Sequence, residues 1–180
     1  MSNPHHVVKG GCGAFERVKT LSDTDRRLID FTPVRTDVQR LRRLHPPTGD
    51  SGDARVIPIE TTTYKIRAQL LAVKRGANGD VRLVVSAPRQ PSQAMVVNFP
   101  GNTCKARSAR RRAQMQSART AFIRACGNPV RRSVRLAGLA DITGVGSLGQ
   151  RQPGRPDVAP NGLQLAPVLG FESVRCSRRT

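Results

Sequence analysis

A mainly β fold, a five-stranded Greek-key barrel with one helix between its third and fourth strands, is predicted by three observations. In Glu60 to Ser86, ETTTYKIRAQLLAVKRGANGDVRLVVS, the residues Tyr64, Ile66, Ala68, Leu70 and Ala72 fall at every second position, the period of a strand with one buried face. One amphipathic helical stretch, Ser108 to Cys126, interrupts an otherwise strand-like sequence. The resulting order is three strands, a helix, then two strands.

The elements follow in chain order. Residues 1–53 read as a flexible N-terminus and an arm, with Gly10, Gly11 and Gly13 around Cys12. Phe15 to Leu21 is expected as a short extended piece and Ser22 to Asp25 as a cap-like start. Asp37 to Leu44, DVQRLRRL, can form about two helical turns with Val38, Leu41 and Leu44 on one side, too short to stand without packing on the barrel. Pro46 to Asp53, PPTGDSGD, reads as a linker. The barrel is expected over residues 54–174, followed by a loose basic tail at 175–180.

Strands are expected from Arg55 onward. Lys65, Arg67 and Gln69 oppose the buried face of the first strand, and the switch to apolar Leu71 and Val73 predicts a bend near Leu71. Asn78-Gly79 supplies the positive-φ residues of a hairpin turn. Val81, Leu83 and Val85 then repeat the alternation with Arg82 opposite. The second strand ends at Ala87-Pro88, and Ala94 to Phe99 forms the third. In the helix, Met115, Ala118, Phe122 and Ala125 make one face, with Gly127 at the C-cap position. Ser133 to Val145 is the fourth strand, bent at Gly138 and Gly144. Leu163 to Val174 is the fifth, with Pro167 marking an edge or a break. This order is that of the oligonucleotide/oligosaccharide-binding (OB) barrel, whose helix plugs one end.

The formal charge is +19, from 31 Lys and Arg against 12 Asp and Glu. Residues 1–53 hold nine basic and seven acidic residues, whereas residues 54–180 hold 22 and five, so the barrel carries nearly all the excess. Such a surface attracts nucleic acid, acidic glycan or anionic lipid without sequence preference. Of the basic residues 26 are Arg and five are Lys, a bias that a genome's composition would also produce. On the outer face of the strands Lys65, Arg67, Lys74, Arg75 and Arg82 are the candidates for meeting a polyanion. The aromatic fraction is 3%, so the platform on which bases stack is missing. No apolar run is long enough to span a membrane. The opening MSNPHHVVKGGCG shows no basic segment followed by an apolar stretch, so no secretory signal is visible. Nothing specifies an oligomeric state.

Cys12, Cys104, Cys126 and Cys176 form an even set without a CxxC pair and without a His at ligand spacing, which argues against zinc and for disulfides. Three connectivities are open. Cys104 with Cys126 is the favoured pair, leaving Cys12 with Cys176. A straight helix from Ser108 to Cys126 would span roughly 27 Å, so that pairing requires residues 104–112 to fold back. Neither a metal nor another cofactor is implied. His5, His6 and His45 all precede the barrel, and the glycines of GVGSLG follow a strand without opening a helix, so the phosphate-loop reading fails on context. A metal-dependent phosphodiesterase is the alternative, with Glu60, Asp80 and Asp141 as candidate carboxylates and Arg67 and Arg82 as candidate transition-state stabilisers. Asp80, just after Asn78-Gly79, also reads as a turn residue. A structural cell-envelope protein is a third possibility.

Several blocks carry a family resemblance over Cys12 to Phe171: CGAFERVKTLSDTD, DFTPVRTDVQRLRRL, the hairpin sequence, ARTAFIRACG with Cys104, DITGVG and, most specific, APNGLQLAPVL. The chain resembles a family of uncharacterised, mostly secreted bacterial proteins with an OB-like barrel. The resemblance implies that fold and export to the exterior or the cell envelope, without excluding the cytoplasm, and it implies no activity. The family pattern has His where Arg82 stands, Phe-Phe-Asp at Ser147, Leu148 and Gly149, and Glu-Leu-His-Pro at Gln164, Leu165, Ala166 and Pro167. A divergent member that keeps the fold and lacks these polar groups is expected to bind rather than catalyse.

Overall fold

A computed structural model describes residues 14–48, 54–101 and 111–179. Six strands make one sheet: β1 (Asp30–Arg35), β2 (Thr62–Arg75), β3 (Val81–Ala87), β4 (Gln90–Phe99), β5 (Val134–Leu148) and β6 (Leu163–Arg178). Their order is β1-β2-β3-β4-β6-β5, and β2 pairs with β5 as well. The helices are α1 (Ala14–Lys19), α2 (Val38–Arg43) and α3 (Arg112–Cys126). The chain is thus mainly β with a helix between β4 and β5, as predicted, but its described residues form six strands rather than five.

The additional strand is β1, DFTPVR, which pairs in parallel with β2 and sets Val34 opposite Tyr64 and Arg35 opposite Lys65. Pro33 cannot donate to a ladder, and β1 is an edge strand, where that loss is tolerated. Ahead of it, the extended piece expected at Phe15 to Leu21 is instead α1 followed by a turn. Ala, Glu, Arg and Lys in AFERVK favour helix, and the Thr20 hydroxyl donates to the Glu16 carbonyl at 2.8 Å to close its end. Leu21, Ile29, Met115 and Val145 pack together, joining this segment to α3 and β5.

The expected helix at Asp37 to Leu44 is α2. Its N-cap Asp37 accepts from the Arg40 N–H at 2.8 Å, and Val38 and Leu41 are buried in the main core. Asp37→Ala should therefore lower stability by about 1 kcal/mol, read as a shift of the urea midpoint, and Asp37→Asn should keep most of it. An alanine variant as stable as the parent would show the cap to be idle.

Strands do not begin at Arg55; β2 begins at Thr62, after a short 3-10 turn at Ile59–Thr61. The bend predicted near Leu71 is a register irregularity between Leu70 and Ala72 in the β2–β3 ladder. Of the expected pair Asn78-Gly79 only Gly79 takes a positive φ, 84°, in the hairpin turn. The third predicted strand starts earlier than Ala94, because Arg89 turns the chain with φ 63° and Gln90 already pairs with Ala87. In β5 the backbone at Gly138 has φ 151° and a Cβ there would lie 2.0 Å from the Arg175 carbonyl oxygen. Only glycine fits that bend.

Phe99, Phe122 and Phe171 form the centre of the core, with ring centroids 5.2 to 6.0 Å apart. Helix α3 buries Ala118, Phe122 and Cys126 in this core and Met115 in the smaller cluster with Leu21, with Ala125 only partly buried. The Gly127 N–H donates to the Ile123 carbonyl at 2.8 Å and ends the helix. Residues 175–178, expected as a loose tail, complete β6 instead. They carry Cys176 opposite Gly138 and Arg178 opposite Leu136.

That extension corrects the disulfide expectation. Cys126 is bonded to Cys176, with Cα atoms 5.4 Å apart, so neither Cys104–Cys126 nor Cys12–Cys176 is formed. The C-terminal end of α3 lies on β6, which removes the need for residues 104–112 to double back. Cys12 and Cys104 themselves lie outside the described residues.

Candidate functional site

The register of β2, β3 and β4 puts Lys74 opposite Arg82 and Arg82 opposite Asn98. These three side chains line a cleft of about 1150 Å³. Its walls are the β2–β3 turn at Gly76, Asn78 and Asp80, and the long β5–β6 connection from Gly149 to Gly162. Cationic Lys19, Lys74, Arg82 and Arg151 face it, against two carboxylates, Glu60 and Asp80.

Both acids are engaged. Glu60 accepts from the Leu148 N–H at 2.7 Å and the Val56 N–H at 2.9 Å. Asp80 accepts from the Gly101 N–H at 2.6 Å and has the Lys19 ammonium at 3.9 Å. Arg82 holds Asp157 at 3.1 Å, and Asp157 also receives Arg155 at 2.8 Å. Burial pushes the Arg82 guanidinium below the usual arginine value, and the Asp157 charge opposes that shift. Burial alone would raise Asp157, but the Arg155 hydrogen bond and the charges of Arg82 and Arg155 hold it below the ordinary carboxylate range. One carboxylate thus holds two guanidiniums and orients Arg82 on the strand.

The five basic candidates do not converge. Lys74 and Arg82 line the cleft, whereas Lys65, Arg67 and Arg75 lie outside its lining. Lys65 is 3.7 Å from Glu172. Arg67 donates twice to Asp141, at 2.8 Å each, which holds Asp141 below the usual carboxylate range. The candidate acids Glu60 and Asp80 share the cleft, but Asp141 is on the β5 side, paired with Arg67. Among the described residues no three His, Cys, Asp or Glu side chains come together.

Asn98, Gln152 and Asp157 were not anticipated. A lone amide in the apolar run AMVVNF is the signal that marks Asn98, and a connection as long as 149–162 marks the loop. The APNG block has a structural duty here: Asn161 donates to the Leu41 and Leu44 carbonyls at 2.8 and 3.0 Å, tying α2 to the loop before β6. No helix among the described residues is long and apolar enough to cross a membrane.

What fold and site define is a mainly β protein with a basic cleft on one sheet face. Compared with known proteins, the chain matches no family model, no curated protein and no solved structure.

Proposed function

We propose that the chain is a non-enzymatic, basic binding module on an OB-like barrel that attracts polyanions with weak specificity. The pairing circuit β2-β3-β4-β6-β5, returning to β2, with α3 between its third and fourth strands in sequence, supports the OB-like reading. Barrels of that kind bind on their second and third strands and on the loops joining strands one to two and four to five. The corresponding parts here are β3, β4, the turn at 76–80 and the connection at 149–162. The observation that carries the proposal is that all four border the same cleft, with Lys74 exposed and Arg82 fixed beside it.

Binding of this kind follows counterion release and is steeply salt-dependent. Affinity for an oligothymidylate or an inorganic polyphosphate should fall about tenfold or more between about 50 mM and 200 mM salt. Lys74→Ala should weaken it more than Arg67→Ala, since Arg67 is already matched by Asp141. An affinity indifferent to salt, or equal effects of the two variants, would count against this function.

A further inference from the structure

We infer that the cleft over β3 and β4 takes a carboxylated, hydroxyl-rich glycan, of the uronic-acid polymer kind, in preference to a phosphodiester. The inference rests on the polyanion reading above and narrows it to one ligand class. Among the described residues, four buried side-chain atoms lack a hydrogen-bond partner: Arg82 Nε, Asn98 Oδ1, Ser147 Oγ and Gln152 Oε1. Three of these residues, Arg82, Asn98 and Gln152, line the cleft. Asn98 is only 5% exposed, and an amide oxygen buried without a donor is unfavourable unless a ligand supplies one.

The three atoms make a chemical demand. Arg82 Nε needs an acceptor, and its charge favours an anionic one. Asn98 Oδ1 and Gln152 Oε1 need donors. A phosphodiester backbone offers acceptors alone, so it would leave both amide oxygens unmatched. A sugar acid offers a carboxylate to Arg82 and Lys74 and hydroxyl donors to the amides. Nor does the cleft favour bases: among the described residues no aromatic side chain lines it, so base stacking has no platform. Its accessible apolar lining, Pro47, Val56, Leu148 and Val158, can instead rest against the C–H surfaces of sugar rings.

The test compares the unmodified protein's binding to polygalacturonate, its methyl-esterified form, inorganic polyphosphate and oligothymidylate at low and high salt. Polygalacturonate should remain bound at a salt concentration that releases the two phosphate polymers, and esterification should cost at least tenfold in affinity. Gln152→Ala, in a loop, and Asn98→Ala, which removes the amide acceptor without changing the charge of the cleft, should each weaken polygalacturonate about tenfold and leave oligothymidylate within about twofold. If all the polyanions are released together at the same salt, the glycan preference is overturned while the electrostatic function stands. If none binds even at low salt, both are overturned.

Discussion

Replacing Arg55 with alanine is expected to destabilise the protein by about 3–5 kcal/mol, the range seen when one partner of a buried ion pair is removed. The Arg55 side chain is fully enclosed and that of Asp23 is 4% exposed. Arg55 donates to both Asp23 carboxylate oxygens, at 2.8 and 2.7 Å. It also donates to the Val18 and Glu60 carbonyls, each at 2.9 Å. Truncation strands a buried carboxylate and takes a donor from two backbone oxygens, whose desolvation is no longer compensated.

The consequence is local as well as global. Arg55 bridges the segment after α1 to the turn before β2, and Glu60 continues the connection to Leu148 at the end of β5. The loss should lower the melting temperature by roughly 6–20 °C for a chain of this size. Removing both charges, as in Arg55→Met with Asp23→Leu, should recover much of the difference, because the desolvation of the pair then disappears with it. A single variant within about 1 kcal/mol of the parent would show that the pair is not a structural anchor.

What could be read from the sequence was what is local. The β2–β3 hairpin was legible because its alternation lies within consecutive residues and Asn78-Gly79 names its turn. The turn role of Asp80 was equally so, since the Asn78 side chain accepts its N–H at 3.2 Å within two residues. Helix α3 was legible from the spacing of Met115, Ala118 and Phe122. β1 was not, because what makes DFTPVR a strand is its parallel pairing with a segment about thirty residues later, and Pro33 argues locally against it. The outward cations were legible as a set, but their division was not. Only cross-strand register assigns Asp141 to Arg67 and leaves Arg82 beside Asn98. Arg55 was hidden for the same reason: in sequence it is one arginine among 26, and only folding brings Asp23 to it.

Loss of the Cys126–Cys176 bond is the second large effect. The bond closes a loop of 50 residues, and the chain-entropy relation for that length gives roughly 4 kcal/mol of stabilisation, acting mainly on the unfolded state. Cys126→Ala with Cys176→Ala should therefore lower the unfolding free energy by about 2–4 kcal/mol, measured in urea without reductant. The folded ends should stay together without the bond, because Arg178 Nε donates to the Cys126 carbonyl at 3.1 Å and the same guanidinium reaches the Asn128 carbonyl. A non-reduced digest should yield one peptide joining Cys126 to Cys176, and recovery of Cys104 joined to Cys126 would overturn the assignment. Neither cysteine lines the cleft, so polyanion affinity of the double variant at a temperature where it remains folded should match the parent's. A large drop there would mean that the clamp on α3 and β6 also holds the binding face in shape.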